Sequence, residues 1–511
     1  MNNSTSGYTT FIAVIVSLGG FLFGFDASVI SGALGSIKAM FPMSAFQEGF
    51  VVSSPTLSAT AAMLVIGPIS DMLGRKKVLL FIAFGYALSA IMSALAPSVS
   101  VLIFARMLGG LAFGAALIIA PMYIAEIAPA EKRGRLVSIN QLNIVLGFSA
   151  SYFANYFINQ AYGNDPDMWR YMLGLEFVPA ILFFFFLFLI PESPRWLMSK
   201  NKIDQATGVI QKIRGSLNVT EEITAIKNNI AESANRTGAR LPELFKPALR
   251  LVLMIGLVVG ILQQITGINI AFFYANTIFE QSGIGSDASF TQAIWVGIIN
   301  VIFTIIAMSL IDKLGRKPLL VFGAAGIAIS MFISAYGFSQ ATYSITNETM
   351  SELSIGSDKE SLRPLVGQTF DNDVDFKRAV IAQMGPANAS KYESDIIKGS
   401  VTMNPFLILL GILGFVASFA ISLGPVMWVL FSEIFPNWIR GVAISVVGFV
   451  NSAISFLVQF LFPWELANLG TAVTFAIYGV FALIGLMFIL KVVPETKGKS
   501  LEELEKILVK S

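Results

Sequence analysis

Apolar residues fall along this chain in long blocks, neither alternating nor spaced every three to four positions. A helix needs roughly 20 mostly apolar residues to cross a bilayer. Stretches of that kind occupy 10–33, 48–69, 78–97, 100–122, 137–158 and 170–190, then 250–281, 290–311, 319–337, 403–431, 440–462 and 469–492. They predict twelve membrane-spanning helices, spans 1 to 12, in two groups of six. Two polar segments interrupt them. Residues 191–249 carry helix-like stretches near 203–213 and 221–233, and residues 338–402 are rich in Asp, Ser and Asn, with sequons at Asn347 and Asn388. The chain therefore divides into a six-span unit at 1–190, a polar linker at 191–249, a second six-span unit at 250–492 that carries the 338–402 insertion, and a tail at 493–511. The apolar run from Phe11 outlasts a signal peptide and no basic residue precedes Thr9, so it reads as a retained span.

Composition supports this pattern. Hydrophobic residues make up 55% of the chain, charged residues 13%, and the mean hydropathy is +0.73. Soluble domains carry about 25% charged residues, and a lipid-facing surface accounts for the deficit. A net charge of +2 gives no reason to expect a nucleic-acid partner. With no Cys and no His, disulfides, Cys/His metal sites, Cys nucleophiles and Ser-His-Asp triads are excluded. Any proton chemistry then falls on carboxylates. No GxxxxGK[ST] loop and no nucleophile–base set is present, so neither an ATPase nor an intramembrane enzyme is expected, and no metal or cofactor.

Basic loops give the orientation. Arg75, Lys76 and Lys77, then Lys132, Arg133 and Arg135, then Lys313, Arg316 and Lys317 all fall on one side, which the positive-inside rule makes cytoplasmic. Both termini and the 191–249 linker share that side, and 338–402 faces away from it. The halves are internal repeats. Asp71-Met-Leu-Gly-Arg75 recurs as Asp312-Lys-Leu-Gly-Arg316, 241 residues on (75 to 316), while Arg133-Gly134 recurs as Arg440-Gly441, 307 on (133 to 440). The second offset is larger by 66 residues (307 less 241), so an insertion of that size lies between Arg316 and Arg440, and 338–402 fits it. Duplicated halves with a mid-membrane site are a transporter signature.

The repeated loop motifs resemble the major facilitator superfamily. Pro191-Glu-Ser-Pro-Arg-Trp196, Pro494-Glu-Thr-Lys-Gly498 and Gln263-Gln264-Ile-Thr-Gly267-Ile-Asn269 resemble the sugar porter family within it, most of all the bacterial D-xylose and galactose proton symporters. The resemblance covers nearly the whole chain except 338–402. It implies an all-α membrane protein with two six-helix bundles and a cytoplasmic helical linker. It also implies a monomeric, multi-pass transporter in the cell membrane that imports a monosaccharide.

Asp26 lies inside span 1 and Arg106 inside span 4. A charge at a helix centre costs roughly 2.5–3.5 kcal/mol on insertion scales, so such residues turn inward and pair. Counted from the same side, both sit about 9–12 Å deep at 1.5 Å per residue, a depth that allows contact. Arginine stays charged, so Asp26 is the titrating member. The resemblance assigns the matching pair to proton coupling, and uniporting relatives usually lack the carboxylate. A static salt bridge is the plainer alternative. Glu176 in span 6 is a second buried candidate.

Sugar hydroxyls call for amides, which both donate and accept, and the apolar ring face calls for an aromatic platform. Gln141, Gln263, Gln264, Asn269, Asn300 and Asn451 supply amides, and Phe23 and Trp428 supply aromatic surface, each at a position matching one that contacts sugar in the family. For a single amide, hydrogen bonding between helices is the plainer reading. Gly267 predicts a break in span 7 that gathers its amides. Phe273 stands where xylose transporters carry Tyr, Asn451 replaces their Gln and Ser452 a Trp, which leaves both pentose and hexose open.

On the cytoplasmic side Glu126, Arg133, Glu192 and Arg195 match Glu433, Arg440 and Glu495, joined by Asp71, Arg75, Asp312 and Arg316. The resemblance implies salt bridges between the halves that form and break as the transporter rocks. Proton-coupled sugar import is the leading expectation. A facilitative sugar or polyol uniporter and a transporter-like sugar sensor are the alternatives, and the short tail after Pro494 argues against a sensor.

Overall fold

The computed structural model describes residues 3–129, 132–215, 218–235, 241–353 and 355–508. Twelve of its helices are long and apolar enough to cross a membrane, and they coincide with the twelve expected stretches, with ends shifted by a few residues. They are Gly7–Met40, Ala45–Leu73, Arg75–Ala94, Val99–Ile127, Arg133–Tyr162, Met168–Leu189, Pro247–Phe273, Ser286–Leu314, Arg316–Ser339, Pro405–Ile434, Arg440–Asn468 and Thr471–Val492, spans 1 to 12 in order. The chain is a multi-pass membrane protein.

Two spans are broken. Span 7 stops at Ile265, turns at Gly267 with φ +90°, and resumes at Ile268. That left-handed backbone favours a residue without a Cβ. Span 10 breaks at Ser422, between Pro405–Ile421 and Leu423–Ile434, whereas in span 6 Glu176 joins Met168–Leu175 to Phe177–Phe186 with helical backbone angles, φ −57° and ψ −25°.

The chain clusters into two units that do not follow the sequence halves. Unit 1 holds Met1–Asp26, Ser54–Phe148 and Leu173–Ala239, and unit 2 holds Ala27–Ser53, Ser149–Met172 and Arg240–Ser511. The cut runs through spans 1, 2, 5 and 6.

Within unit 1 a core of Tyr86, Phe113, Tyr123, Phe183 and their aliphatic neighbours reaches Ile213 of the linker helix Ile203–Arg214. Spans 1 and 5 meet backbone to backbone. A Cβ on Gly24 would overlap the Ile144 carbonyl, and one on Gly147 the Phe21 carbonyl. Small residues are what permit such an approach in a membrane, where no hydrophobic force gathers helices. Gly24→Val is therefore expected to destabilise the protein by more than the ~1–3 kcal/mol of ordinary overpacking, read as a lower thermal-unfolding midpoint in detergent. Gly208→Ala, with open space around its Cβ position, should not lower it.

In unit 2 the ends of spans 1, 2 and 5 remote from the basic loops are sealed onto spans 7, 8 and 11. Ser31 Oγ donates to Asn276 Oδ1 at 2.8 Å, Tyr152 Oη to the Phe272 carbonyl at 2.7 Å, and Asn159 Nδ2 to Asp287 at 2.9 Å. Phe50 stands edge-on to Phe456 and Phe460. The insertion between spans 9 and 10 is a small domain. Its first strand, β1 (Thr342–Ser344), lies between β2 (Thr369–Phe370) and β3 (Val401–Thr402), both antiparallel. Pairing Thr342 with Thr402 brings the two ends of the insertion together where they meet the bilayer helices. Tyr343, Leu362, Phe376 and Ile396 fill its core.

Candidate functional site

Unit 1 buries a charged cluster. Arg106 Nη1 donates to Asp26 Oδ1 at 3.0 Å, and both side chains are about 2–3% exposed. Glu176 of span 6, 3% exposed, lies beside both of them. Among the described residues Asp26 Oδ2, Arg106 Nε and Glu176 Oε1 have no hydrogen-bond partner. Two carboxylates around one guanidinium leave a surplus negative charge, and a buried unpaired charge is costly. Among the described residues no group of His, Cys, Asp or Glu could hold a metal.

Unit 2 buries an amide cluster on spans 7 and 11. Asn451 Nδ2 donates to the Gly260 carbonyl and to Gln263 Oε1, both at 2.8 Å. Gln264 Nε2 donates to Gln263 Oε1 at 3.1 Å and to Asn451 Oδ1 at 3.2 Å. Asn269 Nδ2 donates to Gln264 Oε1 at 2.8 Å and to Ser455 Oγ at 2.5 Å. Gln264 and Asn269 lie about 140° apart on an unbroken helix, and the left-handed turn at Gly267 lets them meet. Gln263 is tied through Nε2 to the Leu423 carbonyl, beside the break in span 10.

The remaining expected residues are spread over the two units. In unit 1 Phe23 packs against Phe113 in a tilted pair, ring centroids 4.9 Å apart, and Gln141 is exposed on span 5. In unit 2 Phe273 and Asn300 are buried, while Trp428 keeps 45% of its surface exposed with its ring edge-on to Phe431. An aromatic that open in an otherwise apolar span is available as a platform.

At the basic-loop face each half makes the same arrangement from its own residues. Arg75 pairs with Asp71 at 2.8 Å and Glu126 at 3.0 Å, and Glu192 accepts from the backbone N–H of Arg75 and Lys76 at the start of span 3. Arg316 pairs with Asp312 at 3.3 Å and Glu433 at 2.8 Å, and Glu495 accepts from the backbone N–H of Arg316 and Lys317 at the start of span 9. A carboxylate at a helix N-terminus meets unpaired N–H groups and the positive end of the dipole. Burial pushes the Glu192 carboxyl up from its ordinary value, against those amides. At Glu495 burial acts in the same direction, but the backbone N–H groups of Lys497, Arg316 and Lys317 outweigh it and hold the carboxyl low. Arg133 and Arg195 are exposed, and Arg440 donates to the Phe435 carbonyl at 3.1 Å. None of the three makes an ion pair among the described residues.

Sequence reasoning missed Ser455 and Gln459. They follow Asn451 by four and eight residues, which places all three on one face of span 11. It also missed a network at the insertion face. Lys38 of span 1 pairs with Glu48 of span 2 at 3.2 Å and with Glu393 of the insertion at 3.0 Å, and Lys377 pairs with Glu393 at 3.2 Å.

Comparison with known proteins agrees with these features. The family model described as "Sugar (and other) transporter" matches residues 12–356 and 381–508, and the stretch it skips lies in the insertion. The chain is 35% identical to the arabinose-proton symporter of Bacillus subtilis, over 99% of this chain and 96% of that one. It is 34% identical to the D-xylose-proton symporter of Escherichia coli, over 98% and 96%. The inward-open structure of the E. coli xylose transporter superposes with a TM-score of 0.75 at 32% identity, covering 97% of this chain and 99% of that one. With its twelve spans, its repeated loop clusters and these matches along its whole length, the chain belongs to the sugar porters, the "Sugar (and other) transporter" family of the major facilitator superfamily, whose members are membrane transporters rather than enzymes.

Proposed function

We propose that the chain imports a monosaccharide, pentose or hexose, together with a proton, across the cell membrane by alternating access. The observation that carries the coupling is the buried cluster of Asp26, Arg106 and Glu176, two carboxylates on one guanidinium in a chain with no His. Protonation removes the attraction that holds Asp26 on Arg106, which frees span 1 from span 4. The sugar is held by the amides of Gln263, Gln264, Asn269 and Asn451, with Asn300, Phe273 and Trp428 from the same six-span group. In this reading the six-span groups at 1–190 and 250–492 rock about the 191–249 linker, as one monomer, with the basic loops and both termini in the cytoplasm. The sealed insertion-face ends of spans 1, 2 and 5 fit a state closed to the outside. The clusters at Arg75 and Arg316, each satisfied within its own half, fit the same state. The names of the relatives, which carry arabinose or xylose with protons, support the substrate class.

Uptake into proteoliposomes with a panel of monosaccharides, with and without an inward proton gradient, tests it. Accumulation above the outside concentration only with the gradient is expected. Equal uptake with and without the gradient would make the protein a uniporter. Gln264→Ala or Asn269→Ala should weaken sugar binding by about 1–3 kcal/mol, since each leaves buried hydrogen-bonding groups unpaired. Equilibrium binding checks this, and unchanged affinity would remove that residue from the site.

A further inference from the structure

The amide cluster has a polarity that follows from counting its hydrogens. A carboxamide nitrogen carries two. Asn451 spends both, on the Gly260 carbonyl and Gln263 Oε1. Gln264 spends both, on Gln263 Oε1 and Asn451 Oδ1. Asn269 spends both, on Gln264 Oε1 and Ser455 Oγ. Ser455 can accept the last of these in one orientation only, because its Oγ also accepts from Gln459 Nε2 at 2.8 Å. Gln459 is fully buried and Ser455 is 4% exposed, so the pair forms a fixed stop at the end of the chain of amides. On the half-buried Gln264 and Asn269, carbonyl lone pairs remain: two on Asn269 Oδ1 and one on Gln264 Oε1.

We infer that Ser455, backed by Gln459, turns the amides of spans 7 and 11 into an acceptor platform that selects ligands by the hydroxyl hydrogens they donate. Ser455 and Gln459 are positioning residues, acting through Asn269. The inference rests on the reading that these amides bind a monosaccharide, and it deepens that reading. A ligand hydroxyl meeting Asn269 Oδ1 must give its hydrogen. Replacing that hydroxyl by fluorine keeps an acceptor and removes the donor, so the fluorine faces a carbonyl oxygen with no hydrogen between them. The deoxyfluoro analogue should then be as poor as the deoxy analogue.

The experiment measures binding to the full-length protein of a transported monosaccharide and of its monodeoxy and monodeoxyfluoro analogues, position by position. At the positions where the deoxy analogue loses most, the fluoro analogue is expected to lose as much, about tenfold or more. A fluoro analogue that binds like the parent sugar at those positions would overturn the inference. Ser455→Ala gives an independent arm. It releases one Asn269 Nδ2 hydrogen, which fluorine can accept, so the gap between fluoro and parent sugar should narrow severalfold while Ser455→Thr keeps the wild-type gap. A residue that merely supports the fold would weaken every ligand alike, so an unchanged ratio in Ser455→Ala removes Ser455 from its role. Failure of every monosaccharide to bind would instead overturn the proposed substrate class, a result the unmodified sugars reveal before any analogue is used.

Discussion

Asp26→Asn is expected to abolish gradient-driven accumulation while sugar binding and counterflow survive. The substitution keeps the size of the side chain and removes its charge. In the wild type Asp26 is held on Arg106 at 3.0 Å in a site with almost no exposure. At 4 Å and an effective dielectric of 20, two unit charges attract by about 4 kcal/mol, enough to bias a conformational equilibrium by several hundredfold. Asparagine leaves that attraction absent at every step, so the cycle turns without waiting for a proton and no gradient can drive it. Counterflow exchanges sugar for sugar and needs no net proton movement. The amide cluster lies in the other unit and keeps its hydrogen bonds. The measurement pairs uphill uptake with counterflow in one proteoliposome preparation.

Glu176 sharpens that test. It stands beside both members of the pair, so a second carboxylate faces the same guanidinium. If Asp26→Asn still accumulates sugar and Glu176→Gln does not, the coupling proton resides on Glu176. Retention of uphill transport by both variants would sink the cluster as the coupling site.

The spans were legible because a bilayer demands about 20 apolar residues from each, a requirement written residue by residue along the chain. The meeting of Asp26 with Arg106 was legible for a related reason: isolated charges in apolar helices have few places to go. The break at Ser422 had a weaker trace, the Gly424-Pro425 that follows it. It is less plain than Gly267, whose φ of +90° strongly favours glycine. The resemblance put the ion pairs of the repeated Asp-Arg and Glu motifs between the halves, whereas in this structure Arg75 and Arg316 each pair within their own half, since charge pattern carries no three-dimensional distance. Lys38 and Glu393 lie 355 residues apart, and nothing local to either points to the other. Such contacts appear only once helix ends and insertion are placed together.

Lys38→Met is expected to destabilise the insertion face by about 3–5 kcal/mol, the usual cost of removing one partner from a buried ion pair. Lys38 stands between Glu48 and Glu393, with side-chain exposures of 16%, 9% and 27%, so screening by solvent is slight. Without it Glu48 faces Glu393 with only Lys377 to balance two negative charges. Methionine fills most of the volume, which makes the loss electrostatic. Adding Glu48→Gln to Lys38→Met should therefore recover part of the stability, and a double-mutant cycle on thermal unfolding in detergent reads the coupling. If the two changes add without recovery, the network contributes packing rather than charge pairing. The pH dependence has a definite sign. Burial alone would raise the Glu393 carboxyl, but the charges of Lys38 and Lys377 outweigh it and hold it below the ordinary carboxylate range. A carboxyl depressed on folding stabilises fully above its ordinary value of 4.5 and loses that contribution as the pH falls further. The stability difference between wild type and Glu393→Gln should thus be flat from about pH 8 to about pH 5.5 and shrink only below about pH 4.5. The Glu393 charge is kept near neutral pH, so a difference that vanished there would remove Glu393 from the clasp.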